Sequence, residues 1–376
     1  MKLVIISHTE HYKTKSGRVV GWGPTVNEIN HLTEIFESIT HISMLQNKEA
    51  PASVLSYTSD KIKFIPLPPL GGNSIESKLK ILINAPKVIS IVTKELKKAD
   101  VFQLRTPTGI GVFLIPYLTL FSNKEGWYKY AGNWNQENPP LGYRLQRWML
   151  KKQNRHVTIN GKWDNQPKQC ITFENPCLTV ENFKEGETII NKKQYQAPFS
   201  FCFVGRLEKA KGVERIIEAF SKLSSEEKKQ IAQIDFVGDG KEAEGFKNLA
   251  SKSGVLMNFH GFLSRVKVFE LYKNTHFFLL PSTASEGFPK VIAEAMNFGC
   301  IPIVSNVSSI GQYITNENGY IITPTTSDKL TEIIRAILLE KEIQLNLKAA
   351  KGCEVSKSFT FENYNHRILT EIIQKI

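Results

Sequence analysis

Few folds accommodate the pattern that runs from Phe199 onward, where six short apolar runs alternate with amphipathic stretches. The runs are FSFCFVG, QIDFVG, LMNFHG, HFFLLPS, IPIVSN and GYIITP. They are rich in β-branched and aromatic residues, as strands are. The stretches between them span 213–223, 242–253, 265–274, 290–298 and 328–340, and the first places Ile216, Ile217, Phe220 and Leu223 at helical spacing. Strands alternating with helices predict a parallel sheet covered on both faces.

The first half repeats the alternation less regularly. KLVIIS is followed by a helix over 25–37, strands at ITHISML and KFIPLP, and a helix over 77–96. Then come DVFQL, an apolar segment over 110–120, WYKYAG, a basic helix over 141–153 and HVTING. A chain of 376 residues suits two domains of about 100–200 residues each, and QAPF at 196–199 is the expected joint. The fold class is therefore α/β, two doubly wound Rossmann-like domains with a ligand cleft at the carboxyl ends of the strands. The last segment, FTFENYNHRILTEIIQKI, reads as a helix that periodicity assigns to neither half.

Composition and motifs remove other classes. With 41% hydrophobic and 22% charged residues the chain is globular rather than disordered or fibrous. The five cysteines, Cys170, Cys177, Cys202, Cys300 and Cys353, are scattered without zinc spacing and read as buried thiols of a cytosolic protein. The apolar run Leu3 to Ile6 is too short for a secretory signal, and the longest apolar stretch, 109–121, is too short to span a bilayer. GWGPTV and GIGVFL both lack the third glycine of a dinucleotide fingerprint, and there is no P-loop, HExxH, GxSxG or Asp-x-Asp. Of the net charge of +12, residues 1–198 carry 26 Lys and Arg against 16 Asp and Glu, so the first half holds the positive field. Such a field suits nucleic acid, an anionic membrane or a phosphorylated ligand.

Two junctions carry chemistry. In FVGRLEKAKGVERII a strand ends at Val204, turns at Gly205 and presents Arg206 and Lys211 before a helix opening near Gly212. Two cations at a helix N-terminus suit a phosphate, although ordinary solvated cations produce the same pattern. In TASEGFPKVIAEAM, Glu286 lies in a loop, Gly287 permits close backbone approach, and Glu294 lies inside the helix that follows Pro289. A carboxylate there can accept both hydroxyls of a ribose or sugar ring; a dipole-favoured Glu286 and an exposed Glu294 are the bland alternative.

Taken in order and spacing, GRLEKAKG, FVGDG, FHGFL, PSTASEGFPKVIAEAMNFGCIPIVSN and NGYIITP resemble the retaining glycosyltransferases of family 4, which have the GT-B fold. The likeness is dense over 200–325 and looser elsewhere, and its most specific element is the E-x7-E pair, Glu286 and Glu294. It implies that Arg206 and Lys211, beside Gly205, hold the diphosphate of a nucleotide sugar and stabilise its departure. It further implies that Glu286 lies against the donor sugar, that the backbone of Gly287, Phe288 and Lys290 lines sugar and phosphate, and that Glu294 binds the ribose. Phe262 and Leu263 would lie near the base. A Gly-rich loop after the first strand is expected within GRVVGWGPT, with Gly21 and Gly23 leading into a helix. Where the family has a histidine near the donor sugar this chain reads Gly132, Asn133 and Trp134. Asn133 can hydrogen-bond a hydroxyl without acting as a base, and His8 and His11 are candidate substitutes.

The resemblance implies three parts: an acceptor domain over 1–198, a nucleotide-sugar domain over 199–356 and a C-terminal helix over 357–376 that crosses back. It implies a retaining transferase with no cofactor and no metal, the nucleotide sugar (UDP- or GDP-linked) being a substrate. Expected partners are a glycan or lipid-linked acceptor and an anionic membrane surface, with no nucleic acid. The expected setting is cell-surface polysaccharide synthesis, cytoplasmic and peripheral on the inner face of the membrane. A GT-B-like epimerase would not need this Arg206, Lys211, Glu286 and Glu294 set, and a non-enzymatic basic module leaves the set unexplained. In LGYRLQRWMLKKQNRH, Leu141, Leu145, Trp148 and Met149 form one helical stripe and Arg144, Arg147, Lys151 and Arg155 another. Either the apolar stripe packs on the sheet, or the helix docks on anionic lipid.

Overall fold

The computed structural model describes residues 1–72 and 74–375 and divides into two compact units, Met1–Asn175 with Phe361–Ile376, and Pro176–Thr360. The boundary lies at 175/176 and not at 198/199. The segment between is α-helical over Val180–Ile190, and Asn297 of the second unit donates to the Asn182 carbonyl at 2.8 Å. Gly186 lies where any Cβ would strike the Asn297 carbonyl at 2.1 Å, so this helix is packed against the second unit too closely to belong elsewhere. The segment returning to the first unit begins at Phe361 and not at 357.

In the first unit β1 (Lys2–Lys13) is followed by β2 (Val19–Trp22), α1 (Gly23–Leu32), β3 (Ser38–Leu45), β4 (Val54–Ser56) and β5 (Ile62–Leu67). Next come α2 (Ile75–Ile83), α3 (Ala85–Leu96), β6 (Val101–Thr106), α4 (Gly111–Phe121), β7 (Glu125–Tyr130), α5 (Leu141–Lys151), β8 (Val157–Ile159) and β9 (Cys170–Thr172). The helix expected over 77–96 is two helices, because Pro86 starts a new one and disfavours helical continuity through Asn84. VVGW within GRVVGWGPT forms strand β2, antiparallel to the end of β1 with His11 opposite Gly21, rather than the expected Gly-rich loop. Gly21 is required there, since a Cβ would meet the His11 ring at 2.4 Å.

The parallel strands run in the order β5, β3, β1, β6, β7, β8, β9. Chain connection therefore reverses direction between β1 and β6. At such a switch point the loops leave the sheet in opposite directions and open a crevice beyond the strand ends. The chain closes this unit with α6 (Val180–Ile190) intervening in the second unit and α15 (Phe361–Arg367) returning at the end. Tyr364 and Ile368 are buried there with Leu3, Ile5, Ile29 and Trp127.

After α6 the second unit contains β10 (Phe199–Val204), α7 (Val213–Ser221), α8 (Ser225–Lys229), β11 (Ile231–Val237), α9 (Ala243–Ala250) and β12 (Met257–Phe259). It continues with α10 (Arg265–Lys273), β13 (Phe277–Leu280), α11 (Lys290–Asn297), β14 (Ile301–Ser305), α12 (Ile310–Tyr313), β15 (Tyr320–Ile322), α13 (Ser327–Leu338) and α14 (Glu342–Ser356). All six strands read in the sequence are present, paired in parallel in the order β12, β11, β10, β13, β14, β15. The switch point lies between β10 and β13. Phe201, Phe203, Phe220, Phe236 and Phe277 fill the core between sheet and helices. The five cysteines are buried free thiols.

Candidate functional site

The switch point of the second unit brings together the two junctions that stood out in the sequence. After β10 the chain passes Gly205 and Arg206, makes one 3-10 turn over Lys209–Lys211 and enters α7 from Gly212. Gly212 has φ of +90°, and a Cβ on it would sit 2.3 Å from the Pro281 carbonyl, so only glycine lets this turn lie against the end of β13. The Thr283 amide and the Ser282 hydroxyl both donate to the Ala210 carbonyl, at 2.8 and 3.2 Å. The two loops are thus bonded to each other beyond β10 and β13.

Lys211 is buried, and its ammonium donates to the Glu286 carboxylate, which is partly exposed. Neither α7 nor α11 has a side-chain cap on its first turn. Both helix N-termini therefore direct uncapped amides and positive dipole ends to the side where the buried ammonium lies, a combination that favours an anion. Arg206 is different: it is 71% exposed and paired with Glu208 at 2.9 Å. Gly205 donates its amide to Val237, and Gly238, at φ of +129°, lies where a Cβ would strike the Gly205 carbonyl at 1.9 Å. The FVGR and FVGDG loops are locked together through these two glycines.

Glu294 lies on α11. Burial pushes its carboxyl above the usual range, against the opposing pull of Arg265 and Lys290. Arg265 Nη2 stands 3.4 Å from Glu294 Oε1, without the alignment of a hydrogen bond; its Nε and Nη2 are buried and have no hydrogen-bond partner among the described residues. The guanidinium stacks over Phe269 at 4.7 Å. Arg265 was not singled out in the sequence. Its signal was faint: a cation opening the helix directly after FHGFLS.

Gly287 is buried in the loop leading to α11. The Phe288 ring packs against Tyr313 and Phe359 at 4.9 and 4.7 Å, so only its backbone faces away from the core. The Lys290 carbonyl accepts from Cys177 Sγ at 3.6 Å. Beyond β12, the Gly261 carbonyl accepts from the Gly238 amide at 2.8 Å, Phe262 is half exposed and Leu263 packs on the core.

The remaining sequence candidates belong to the first unit. Gly23 opens α1, its amide on the Ser53 carbonyl at 3.2 Å. His8 lies on β1 at that unit's switch point, where a Cβ on Gly71 or Gly109 would come within 3.2 or 3.3 Å of its ring. Its Nε2 is buried without a hydrogen-bond partner among the described residues, the backbone of Leu70 serves the other side of the ring, and burial lowers its pKa. Asn133 follows β7, and its side-chain oxygen accepts from the Asn135 amide at 3.0 Å.

His11 has a structural place instead. It bonds the Thr9 carbonyl at 3.1 Å and Tyr57 Oη at 2.8 Å, and Tyr57 also bonds His41, which reaches Ser7. The Thr9 carbonyl can only accept, so His11 Nδ1 carries the proton and Nε2 accepts from Tyr57. Burial brings His11 down to about 4. A second buried network joins Glu28 to Arg105 at 2.8 Å, Lys129 at 2.6 Å and Tyr364 of α15 at 3.1 Å.

Residues 186–351 match the family model described as Glycosyl transferases group 1. An uncharacterised glycosyltransferase of Methanocaldococcus jannaschii is 29% identical over 200 residues, 52% of this chain and 49% of that protein, so the chain spans about half the length of this relative. Protein CapJ of Staphylococcus aureus is 23% identical over 332 residues, covering 83% of this chain and 80% of CapJ. Among solved structures, Anabaena HepE in complex with UDP superposes with a TM-score of 0.73 at 15% identity, over 100% of both chains. The fold is that of GT-B glycosyltransferases.

Proposed function

We propose that this chain, whose residues 186–351 carry the group 1 glycosyl transferase domain within a GT-B fold, transfers a sugar from a nucleotide-sugar donor to a hydroxyl acceptor. The carrying observation is the buried Lys211 ammonium, bonded to Glu286 between two uncapped helix N-termini at the β10/β13 switch point. HepE has been solved with UDP-glucose, which supports a nucleoside diphosphate on the same fold.

In this reading the diphosphate lies on Lys211 and the N-terminal turns of α7 and α11, with Arg206 swinging from Glu208 to add a second cation. Glu294 accepts the ribose hydroxyls. As the bond between the sugar's anomeric carbon and the phosphate oxygen breaks, its electron pair stays on that oxygen. Preorganised cations and amides stabilise the growing charge and can stand where other transferases use a divalent ion. The acceptor oxygen bonds to the anomeric carbon, and its proton passes to the departing phosphate. Attack from the leaving-group side gives retention, and Glu286 is placed to contact the donor sugar rather than to form a covalent intermediate. His8 and Asn133 are assigned to the acceptor, which we take to be a cell-surface glycan or its lipid-linked precursor.

A screen of the purified chain against UDP-, GDP- and ADP-sugars, read by calorimetry and by nucleoside diphosphate release, tests this. One donor class should bind and turn over, with activity persisting in EDTA. Absence of binding to every donor would overturn the reading; activity lost on chelation and restored by Mg²⁺ or Mn²⁺ would overturn its metal-independent form.

A further inference from the structure

Arg265 stands at the wrong end of its helix. It is the first residue of α10, directly after Ser264, whose side chain makes no cap. A cation in a first turn opposes the helix dipole, so local electrostatics gives no reason for an arginine there. Packing holds it in place instead: the guanidinium covers the Phe269 ring at 4.7 Å, and Phe269 lies against Phe298 at 4.9 Å. The plane of the guanidinium is thereby fixed.

Nε and Nη2 lie along one edge of that plane and present two parallel N–H donors. Both nitrogens are closed off from solvent and bond no acceptor among the described residues. The Glu294 carboxylate stands beside them, with Oε1 3.4 Å from Nη2 and 14% of the side chain exposed. No hydrogen bond reaches this carboxylate from the described residues either. Buried donors and a nearly buried acceptor are seldom left unpaired side by side in a folded protein, and such a pair calls for an explanation.

The other groups around Glu294 do not supply the missing bonds. Cys177 and Tyr272 are held protonated by burial, and they donate to the Lys290 and Val291 carbonyls. Lys290, four residues before Glu294 on α11, attracts the carboxylate through space, as Arg265 does. A ligand cannot touch the Arg265 edge, which solvent does not reach, but it can meet Glu294 on its open side.

We propose that Arg265 is a positioning residue for nucleoside recognition: its Nε–Nη2 edge grips Glu294 from the inner side and turns the outer lone pairs of the carboxylate toward the two adjacent hydroxyls of a ribose. This role rests on the reading of Glu294 as the ribose ligand. One carboxylate oxygen for each hydroxyl requires a carboxylate held at a fixed angle, which a planar fork enforces and a point charge does not. The ligand class that follows is a ribonucleoside diphosphate. Its 2′-deoxy form is rejected because it leaves one oxygen of a nearly buried carboxylate without a donor.

Calorimetric affinities of the full chain for UDP and 2′-deoxy-UDP, and for GDP and 2′-deoxy-GDP, test it. Wild type should prefer the ribose form of the pair that binds by roughly 10- to 100-fold. Arg265→Leu should bring the two affinities of that pair to within about threefold. Arg265→Lys restores the charge beside Glu294 without the planar edge, so the pH dependence of its affinity should match wild type while the ribose preference stays lost. A merely structural arginine would lower both affinities of a pair alike and keep their ratio, and one that only balances charge would be replaced in full by lysine; either result overturns the proposal. Melting temperatures identify the folded variants, and if Arg265→Leu does not fold, the ratio in Arg265→Lys decides alone. A wild-type chain that binds none of the four nucleotides, or both members of a pair equally, overturns the ribose reading of Glu294 and this role with it. A ribose preference that is equal in wild type and variants removes Arg265 alone.

Discussion

At the scale of single residues, the Lys211–Glu286 bond makes the two groups interdependent. Glu286 competes with any incoming phosphate for the ammonium, so Glu286→Gln should leave nucleoside diphosphate affinity unchanged or raised while turnover falls roughly 10- to 100-fold. Lys211→Ala should weaken the diphosphate itself by a similar factor. Arg206→Ala should act more on turnover than on affinity, because this exposed side chain reaches the phosphate only by leaving Glu208. Calorimetry with UDP or GDP alongside kcat separates the three, and equal losses of affinity in all would contradict the arrangement. Glu294 gives a different signature. Its carboxyl is raised by burial, so between the ordinary value and the raised one the folded chain holds a proton that the unfolded chain has lost. Stability then falls as pH rises through that window. Glu294→Gln should therefore melt higher than wild type at pH 7 and converge with it near pH 4, while binding nucleoside diphosphate more weakly. Arg265 counters the burial of Glu294, so Arg265→Leu should move the loss of nucleotide affinity on acidification to higher pH; an unshifted affinity profile would deny Arg265 that positioning role.

At the scale of elements, the glycine turns beyond the second sheet decide whether the site assembles. Gly212→Ala forces both a left-handed backbone, about 1–3 kcal/mol, and a collision with Pro281, so donor affinity should collapse and urea should unfold the second unit earlier. An alanine variant with normal affinity would mean that the β10 and β13 loops need not touch. These turns were legible because strand, glycine, cation and helix follow one another without interruption in FVGRLEKAKG and PSTASEGFPKV. Other elements were not. β4 and β9 have three residues each, too short for periodicity to register, and β2 owes its existence to pairing with the far end of β1. In α14, Leu345, Ala349 and Cys353 are buried while Ile343 and Leu347 are exposed, so apolar residues encircle the helix and no single stripe announces it. The amphipathic pattern of α5 gave the helix but not its facing: Gln146 is buried and bonds both backbone groups of Thr108, and of the apolar stripe Met149 packs on the core while Leu141, Leu145 and Trp148 are exposed. His11 and His8 were equivalent in the sequence; only the position of Tyr57 separates a satisfied ring from one with an open nitrogen.

At the scale of the whole molecule, the first unit is closed by both ends of the chain, and its weakness to acid follows from what it buries. Tyr364 bonds Glu28 and Lys129, and Arg367 bonds Glu371 at 2.6 Å and the Thr172 carbonyl at 2.7 Å, so residues 361–372 complete a core that the preceding part of the unit leaves open. Three of the unit's histidines, His8, His11 and His41, are held neutral, each chiefly by burial. A base whose pKa is depressed on folding stabilises the fold above its unfolded value and loses that contribution as pH falls toward the folded one. For His11, falling from 6.5 to about 4, the stability lost between neutral pH and acid near pH 4 is on the order of 3 kcal/mol. Among the described residues the second unit has one comparable histidine, His276, also near 4. Acidification from pH 6.5 to 4 should therefore loosen the first unit before the second. Hydrogen exchange corrected for its intrinsic pH dependence should show β1 and β3 losing protection while β10 and β13 keep theirs. Removing residues 361–376 should shift that loss to higher pH, because the unit starts from a smaller margin. Simultaneous loss in both sheets, or loss led by β10, would show that the buried histidines do not govern the order of unfolding.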